Sequence, residues 1–128
     1  MKFFIQAGAL FGALAVTLGA FGAHALKASL QASNRLDTFE TAVKYQFYHA
    51  LALVLVGYML KGQSSSEEVS KLLNWSGYSF IGGILIFSGS LYTICFTGIT
   101  KFGATAPIGG ILMILGWILI LLAAGKLG

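Results

Sequence analysis

Charged side chains are scarce in this sequence. They make up 9% of its 128 residues, whereas an ordinary soluble domain carries about 25%. With so few charges the chain has too little polar surface to stay dissolved as a monomer, which argues against a soluble enzyme. Hydrophobic residues make up 57% of the chain, so the composition favours a protein embedded in lipid.

Cysteine and proline each occur once. A lone Cys95 forms neither an intrachain disulfide nor a cysteine metal cluster, which excludes a disulfide scaffold. We interpret this residue as a buried, inert thiol. The single proline, Pro107, suits the first residue of a helix, because the N–H that it lacks has no intrahelical partner at that position.

Acidic residues are fewer than basic ones, with four against eight and a formal net charge of +4. In a soluble protein such an excess suggests nucleic-acid binding. Here the basic residues stand singly at the ends of apolar stretches, which is how membrane helices are flanked. We therefore predict no nucleic-acid partner, and the lipid bilayer as the first partner of the chain.

Long uncharged stretches are what the sequence has in abundance. Residues 3–26, 45–60, 72–100 and 102–125 contain no Asp, Glu, Lys or Arg. Because a helix needs about 20 mostly apolar residues to cross a bilayer, we predict four spans. They are placed at about 3–23, 41–60, 75–97 and 107–124. The predicted fold is an all-α, up-down-up-down transmembrane four-helix bundle, forming one integral membrane domain over residues 1–128.

The first stretch also resembles a signal peptide, because Lys2 and an apolar run precede a small-x-small site at Ala23-His24-Ala25. Its apolar run is longer than the usual core of about 7 to 15 residues. Glycines also recur along it at helix-packing spacings. We therefore predict a first span that is retained, and intact-mass spectrometry checks this.

The second helix is predicted to extend beyond the bilayer. Asp37 and Glu40 have the spacing of a capping box, and Glu40 and Lys44 have the spacing of a helix ion pair. The uncharged stretch 45–60 spans only about 24 Å as a helix, so Lys44 is expected to snorkel and the embedded part to begin near Thr41. Residues 27–34 are expected to form a loop or a surface-lying turn, 61–71 a solvated loop and 98–106 a tight turn.

Small residues are spaced so that helix backbones can approach each other closely in lipid. We assign a helix-packing role to the following glycines: Gly8, Gly12, Gly19, Gly82, Gly83, Gly109, Gly110 and Gly116.

Polar residues gather toward one face of the membrane in the up-down arrangement. We define a candidate polar pole there, made of His24, Lys44, Tyr45, Gln46, His49, Thr97 and Lys101. His49 lies about 12 Å inside the predicted boundary, and an ionisable group at such depth is a functional candidate. The competing interpretation is a neutral His49 that hydrogen-bonds Gln46, a threonine of the third span or a backbone carbonyl. Trp117, near the midplane, is expected to donate to Ser88 or Ser90.

Basic residues do not decide the orientation. Four of them fall on the side of the chain termini and four on the opposite side: Lys2, Lys61, Lys71 and Lys126 against Lys27, Arg35, Lys44 and Lys101. The positive-inside rule therefore gives no preference. A dual-topology antiparallel dimer also stays open.

Several motifs together resemble a known family. They are GAFGAHAL at 19–26, FETAVKYQ at 39–46, HALAL at 49–53, FSGSLY at 87–92, Thr97-Gly98, APIGG at 106–110 and Gly116-Trp117. This combination is similar to the YgdD/YwdK-like family of small bacterial membrane proteins of unknown function. The resemblance implies a four-span protein of the bacterial plasma membrane, without an assigned activity, cofactor or catalytic residue.

Three hypotheses for function remain from the sequence. The first is a structural or interaction protein that associates with itself or another membrane protein through glycine-rich faces. The second is a small channel or transporter for a neutral or anionic solute entering near His49. The third is a redox module with His24 and His49 as haem ligands. No nucleophile and base occur together, so we favour the first, with no enzymatic activity and no cofactor.

Overall fold

All regular secondary structure in the described part of the chain is helical. The structure is a computed structural model that describes residues 2–62 and 66–127. In chain order the elements are α1 (Lys2–Ala23), α2 (Lys27–Ala32), α3 (Leu36–Lys61), α4 (Glu67–Gly83), a π-helical turn (Ile84–Ser88), α5 (Gly89–Thr97), a 3₁₀ helix (Thr100–Ala104) and α6 (Ala106–Ala124). The predicted all-α class is confirmed.

Three helical stretches of the described chain are long and apolar enough to cross a membrane: Lys2–Ala23, Glu67–Thr97 and Thr100–Ala124. The second of these is one continuous helix made of α4, the π-helical turn and α5. The fourth long helix, α3, has 26 residues but a more polar sequence. It contacts α1, α4 and α5, and the apolar cluster around it includes Phe4, Leu53, Val56 and Phe80. The least apolar of the four long helical stretches is therefore the central helix of the bundle.

Neighbouring long helices run antiparallel, as the up-down order predicts. Gly8 of α1 lies against Ala50 of α3, whereas Gly22 lies against Phe39. Lys126, just after α6, forms an ion pair with Glu68 at the start of α4, with Nζ and Oε1 3.0 Å apart. We call the end of the bundle that holds Lys2, Lys61 and Lys126 the terminal end. The end that holds α2 and the 3₁₀ helix is called the opposite end.

The predicted N-cap of the second helix, Asp37, is wrong by two residues. Helix α3 begins at Leu36 and its N-cap is Arg35, with no side-chain capping bond. Asp37 therefore lies in the first turn, where its carboxylate interacts favourably with the helix dipole. It does not form a capping box with Glu40. The described residues, 2–62 and 66–127, contain one ion pair, Lys126–Glu68. The expected Glu40–Lys44 pair is therefore not formed.

Three connections are more helical than expected. Residues 27–32 form the short helix α2, and the 3₁₀ helix occupies the predicted tight turn. Helix α4 begins at Glu67 because the Ser66 hydroxyl caps it, accepting from the Val69 N–H at 3.4 Å. The loop predicted over 61–71 is thus partly helical, and its residues 63–65 lie outside the described residues. Helix α6 begins at Ala106, which makes Pro107 its second residue.

Gly98 ends the long third span in a left-handed conformation. Its φ is 72° and its N–H donates to the Ile94 carbonyl at 2.9 Å, which is the usual glycine cap of a helix C-terminus. We expect Gly98→Ala to lower the free energy of unfolding by about 1 kcal/mol, because a Cβ is strained at positive φ. Thermal unfolding in detergent micelles, followed by circular dichroism, measures this.

Gly89→Ala is the matched control for that substitution. Gly89 has helical geometry, with φ −59°, and a Cβ placed there meets nothing within 4 Å. We expect the control to leave the unfolding temperature unchanged or to raise it slightly, since alanine favours a helix. If Gly98→Ala and Gly89→Ala lowered the unfolding temperature equally, a specific role for the left-handed turn would be contradicted.

Candidate functional site

His49 is buried on the central helix with both ring nitrogens bonded. Its Nδ1 lies 2.7 Å from the Tyr45 carbonyl oxygen, one turn earlier on α3. Its Nε2 lies 3.1 Å from Nε1 of Trp117 on α6. Because the carbonyl only accepts and the indole N–H only donates, the network assigns the proton to Nδ1 and the lone pair to Nε2. His49 is thus neutral and forms a cross-link between α3 and α6.

The partner of Trp117 differs from the one expected. The sequence predicted a serine, because Ser88 and Ser90 share the depth of Trp117. In the structure Ser88 donates to the Ala42 carbonyl of α3 at 2.7 Å, while Ser90 bonds Thr105 at 2.5 Å. The prediction was wrong because the Trp117 N–H donates to His49 Nε2, while both serine hydroxyls bond other groups.

Aromatic rings surround the His49 imidazole. Phe80 and Trp117 have ring centroids 5.5 Å and 6.0 Å from it, and Tyr45 stacks on it at 6.1 Å. Phe80 is fully buried, whereas Trp117 and Tyr45 are each more than 40% exposed. The imidazole is therefore enclosed by apolar ring faces, and no acidic side chain is among these neighbours.

Gln46 connects α3 to two other helices. Its Nε2 donates to the Phe11 carbonyl of α1 at 2.8 Å. Its Oε1 accepts from the Tyr92 hydroxyl of α5 at 2.7 Å. Sequence reasoning missed Tyr92, although Ser88 and Tyr92 are one turn apart and form a polar stripe. That stripe faces Ala42 and Gln46, which are also one turn apart on α3.

Hydrogen bonds from small side chains tie the remaining helices together. Ser76 of α4 donates to the Gly116 carbonyl of α6 at 2.7 Å. Among the side chains described, every buried nitrogen or oxygen has a hydrogen-bond partner. In hydrocarbon this matters, because an unsatisfied polar group costs several kcal/mol there. The embedded polar residues thus serve as contacts between helices.

The candidate polar pole does not come together as one site. Gln46 and His49 are buried, whereas His24, Lys44, Thr97 and Lys101 are exposed. The Thr97 hydroxyl donates to the Thr93 carbonyl of its own helix at 2.6 Å. Tyr45 and His49 are in contact through stacked rings. His24 is exposed and His49 has no free ring nitrogen, so the arrangement does not offer a bis-histidine haem site.

Metal-ligating groups are also dispersed. In residues 2–62 and 66–127 no three His, Cys, Asp or Glu side chains lie close enough to hold an ion. Cys95 is half-buried, with Sγ 3.6 Å from the Arg35 carbonyl oxygen. Its sulfur is therefore packed against the entry to α3.

Several of the assigned glycines lie where helices meet at backbone distance. A Cβ on Gly8 would lie 2.7 Å from the Ala50 carbonyl oxygen, and one on Gly116 would lie 2.5 Å from the Phe80 ring. Gly83 lies against Met113 and Gly109. Gly109 itself lies against the backbone of Phe87, so the π-helical turn packs on the start of α6. These contacts join helices of the same chain.

The other assigned glycines also face a neighbouring helix, at somewhat longer distances. Added Cβ atoms at Gly19 and Gly82 would lie 3.3 Å from Val43 and Leu112, which is a tight contact, and those at Gly12 and Gly110 would meet their nearest neighbours at 3.9 Å, which is ordinary contact. Sequence reasoning missed Gly77, where a Cβ would lie 2.5 Å from the Phe4 ring. Gly77 lies one turn after Leu73 on the buried face of α4, and that spacing was the available signal.

Comparison with known proteins identifies a family of unknown function. The model of a family described as "Protein of unknown function (DUF423)" matches residues 18–110. The chain is 43% identical to the UPF0382 membrane protein SAB0533 of Staphylococcus aureus. It is 41% identical to the UPF0382 membrane protein YwdK of Bacillus subtilis. Each alignment covers 98% of this chain. In both cases 98% of the relative is covered.

No solved structure matches the chain. The resemblance to the YgdD/YwdK-like family is confirmed by the full-length relatives, which are themselves described as membrane proteins. The apolar helical stretches fit that description. The chain therefore belongs to the DUF423 family of unknown function and is an integral membrane protein.

Proposed function

We propose that the protein is a non-enzymatic structural or interaction protein of the bacterial plasma membrane, which associates with itself or with another membrane protein. The observation that carries this proposal is the use of the embedded polar groups. His49 and Gln46 each bridge helices of the bundle, so their hydrogen-bonding capacity supports the fold. The surface left for binding other molecules is then the outer face of the bundle.

The geometry of His49 supports a structural role over a chemical one. A general base needs an open lone pair within hydrogen-bond reach of a substrate proton. Here Nε2 accepts from Trp117 and Nδ1 is directed at the Tyr45 carbonyl. Proton transfer at His49 would require one of these cross-links to break.

The transporter alternative gains no support from these contacts. It placed a solute beside His49, Lys44 and Lys101, but the two lysines are exposed at the opposite end while His49 is enclosed by rings. The relatives are described only as membrane proteins. A direct check is solute flux in proteoliposomes, which we expect to be no greater than in protein-free vesicles.

Localisation to the plasma membrane is supported by the type of span. Outer-membrane proteins cross as β-barrels with weakly apolar strands, whereas this chain has long apolar helices. The relatives come from Staphylococcus and Bacillus. Fractionation of a tagged protein with inner-membrane markers tests this point.

Association is tested by photo-cross-linking in living cells. A photoreactive amino acid replaces one outward-facing residue on each of three helices: Leu10 on α1, Leu55 on α3 and Ile114 on α6, each 44% to 60% exposed. We expect a discrete protein adduct from one or two of these positions, with the others as matched controls. Adducts to lipid alone at all three positions would overturn the proposal.

A further inference from the structure

A groove runs between the second half of α1 and the first half of α3. It consists of two adjoining cavities of about 140 Å³ and 270 Å³, which share Gly19, Val43 and Lys44 as lining residues. Its walls include Val16 and Phe47 and are almost wholly apolar. The groove exists because α1 presents small residues there. We call it the α1–α3 groove.

Two hydrogen-bond donors border this apolar channel. Lys44 and Tyr48 are one turn apart on α3, both line the groove and both are exposed, Tyr48 by 53%. Within the described residues neither side chain has a hydrogen bond or an ion pair, and the Tyr48 ring lies 6.0 Å from that of Tyr45. Glu40 lines the outer cavity one turn nearer the aqueous phase and is exposed there.

The depth of these groups matches a lipid headgroup. If the embedded part of α3 begins near Thr41, Lys44 lies about 5 Å inside it along the helix axis. From there a lysine side chain extends its ammonium back to the interface, where the phosphates of the leaflet lie. The groove continues to Phe47, six residues or about 9 Å from Thr41, which is the depth of the acyl chains. An unpaired cation above an apolar channel is complementary to an anionic amphiphile.

We propose that the α1–α3 groove binds one anionic phospholipid, with an acyl chain along Gly19, Val16 and Phe47. The phosphate is bound by the Lys44 ammonium and the Tyr48 hydroxyl. Charge complementarity and membrane depth select this occupant over a zwitterionic lipid. The inference goes beyond the proposed function, because it holds whether or not the bundle associates with another protein.

Native mass spectrometry of the protein released from nanodiscs tests the proposal. The nanodiscs contain phosphatidylglycerol and phosphatidylcholine in equal amounts. We expect the wild-type chain to retain one phosphatidylglycerol in preference to phosphatidylcholine. Lys44→Gln should reduce that preference about fivefold, as expected for one basic residue near an anionic surface. Lys101→Gln, at the same end of the bundle, is the matched control and should keep the preference.

A second pair of variants tests the apolar part of the groove. Val16 is 63% exposed, so Val16→Trp should block the groove without altering the core and should remove retained lipid of either headgroup. Leu10→Trp adds the same bulk to an exposed position of α1 outside the groove and should bind lipid as the wild-type chain does. Equal phosphatidylglycerol retention in Lys44→Gln and Lys101→Gln would overturn the proposal. So would a wild-type dimer that Val16→Trp converts to monomer, because the groove would then hold a second copy.

Discussion

Gly109→Ala should lower the free energy of unfolding by about 3 kcal/mol, at the upper end of what overpacking costs. A Cβ at this position would overlap the backbone nitrogen and Cα of Phe87, which belong to the π-helical turn. A clash with a flexible side chain is relieved by a rotamer change. A clash with backbone is relieved only if α6 moves away from the α4–α5 helix.

Gly110→Ala is the control for that substitution. It changes the neighbouring residue of the same helix, but its Cβ would be 3.9 Å from the nearest atom, Cδ1 of Phe87. Both variants gain the same helix propensity, so the difference between them isolates the backbone contact. Unfolding in mixed micelles with increasing dodecyl sulfate, followed by circular dichroism, gives both values. Coincident curves for the two variants would show that α6 does not approach Phe87 as described.

The second large effect is expected at the cross-link between α3 and α6. His49→Leu keeps a side chain of similar size but leaves the Trp117 N–H without an acceptor in hydrocarbon. We expect a loss of about 2 kcal/mol, within the range for stranding a buried donor. Trp117→Phe should cost a similar amount, because removing the donor leaves the buried His49 Nε2 as an acceptor without a partner.

A double-mutant cycle separates the hydrogen bond from the packing of the rings. Interhelical hydrogen bonds in membrane proteins are worth about 0.6 kcal/mol on average and about 1.7 kcal/mol at most, so a coupling energy in this range is expected. Trp75 is the only other tryptophan, and a Trp75→Phe background makes Trp117 the sole indole reporter. His49→Leu should then shift the emission of Trp117 to shorter wavelength. An unchanged spectrum together with zero coupling would rule out the cross-link.

The spans could be predicted from the sequence because the property that defines them, a run of apolar residues, is local in the chain. Uncharged stretches and a need for about 20 apolar residues are enough to locate helices in a bilayer. The span predicted over 107–124 matches α6, which begins one residue earlier. The end of the third span at Thr97 follows from Gly98, whose missing side chain permits the left-handed turn.

The start of α3 was mispredicted because the backbone turn just before it, and not the Asp37 side chain, determines where the helix begins. Asn34 adopts φ 56°, and the Arg35 N–H donates to the Leu30 carbonyl at 2.8 Å. The chain therefore reverses at the end of α2 and enters the helix at Leu36. The side chain of Asp37 contributes no capping bond, although its spacing to Glu40 has the capping-box pattern.

Partners across the bundle could not be predicted from spacing alone. Residue depth placed Ser88 and Ser90 near Trp117 and did not indicate His49 as its partner. The rotation of each helix decides which groups meet. The π-helical turn changes that rotation partway along the third span, so Tyr92 faces Gln46. Nothing in the local sequence of Ile84–Ser88 marks an added residue in the turn.

The polarity of the central helix has a consequence for biogenesis. As the chain emerges from the ribosome, α3 reaches the translocon when only α1 and α2 precede it. Of its two deep polar side chains, Gln46 finds an acceptor at once, since Phe11 belongs to α1. His49 has no interhelical partner until Trp117 of α6, the last helix to be synthesised, arrives. We therefore expect α1 and α3 to insert as a hairpin and the assembly to be completed only when translation ends.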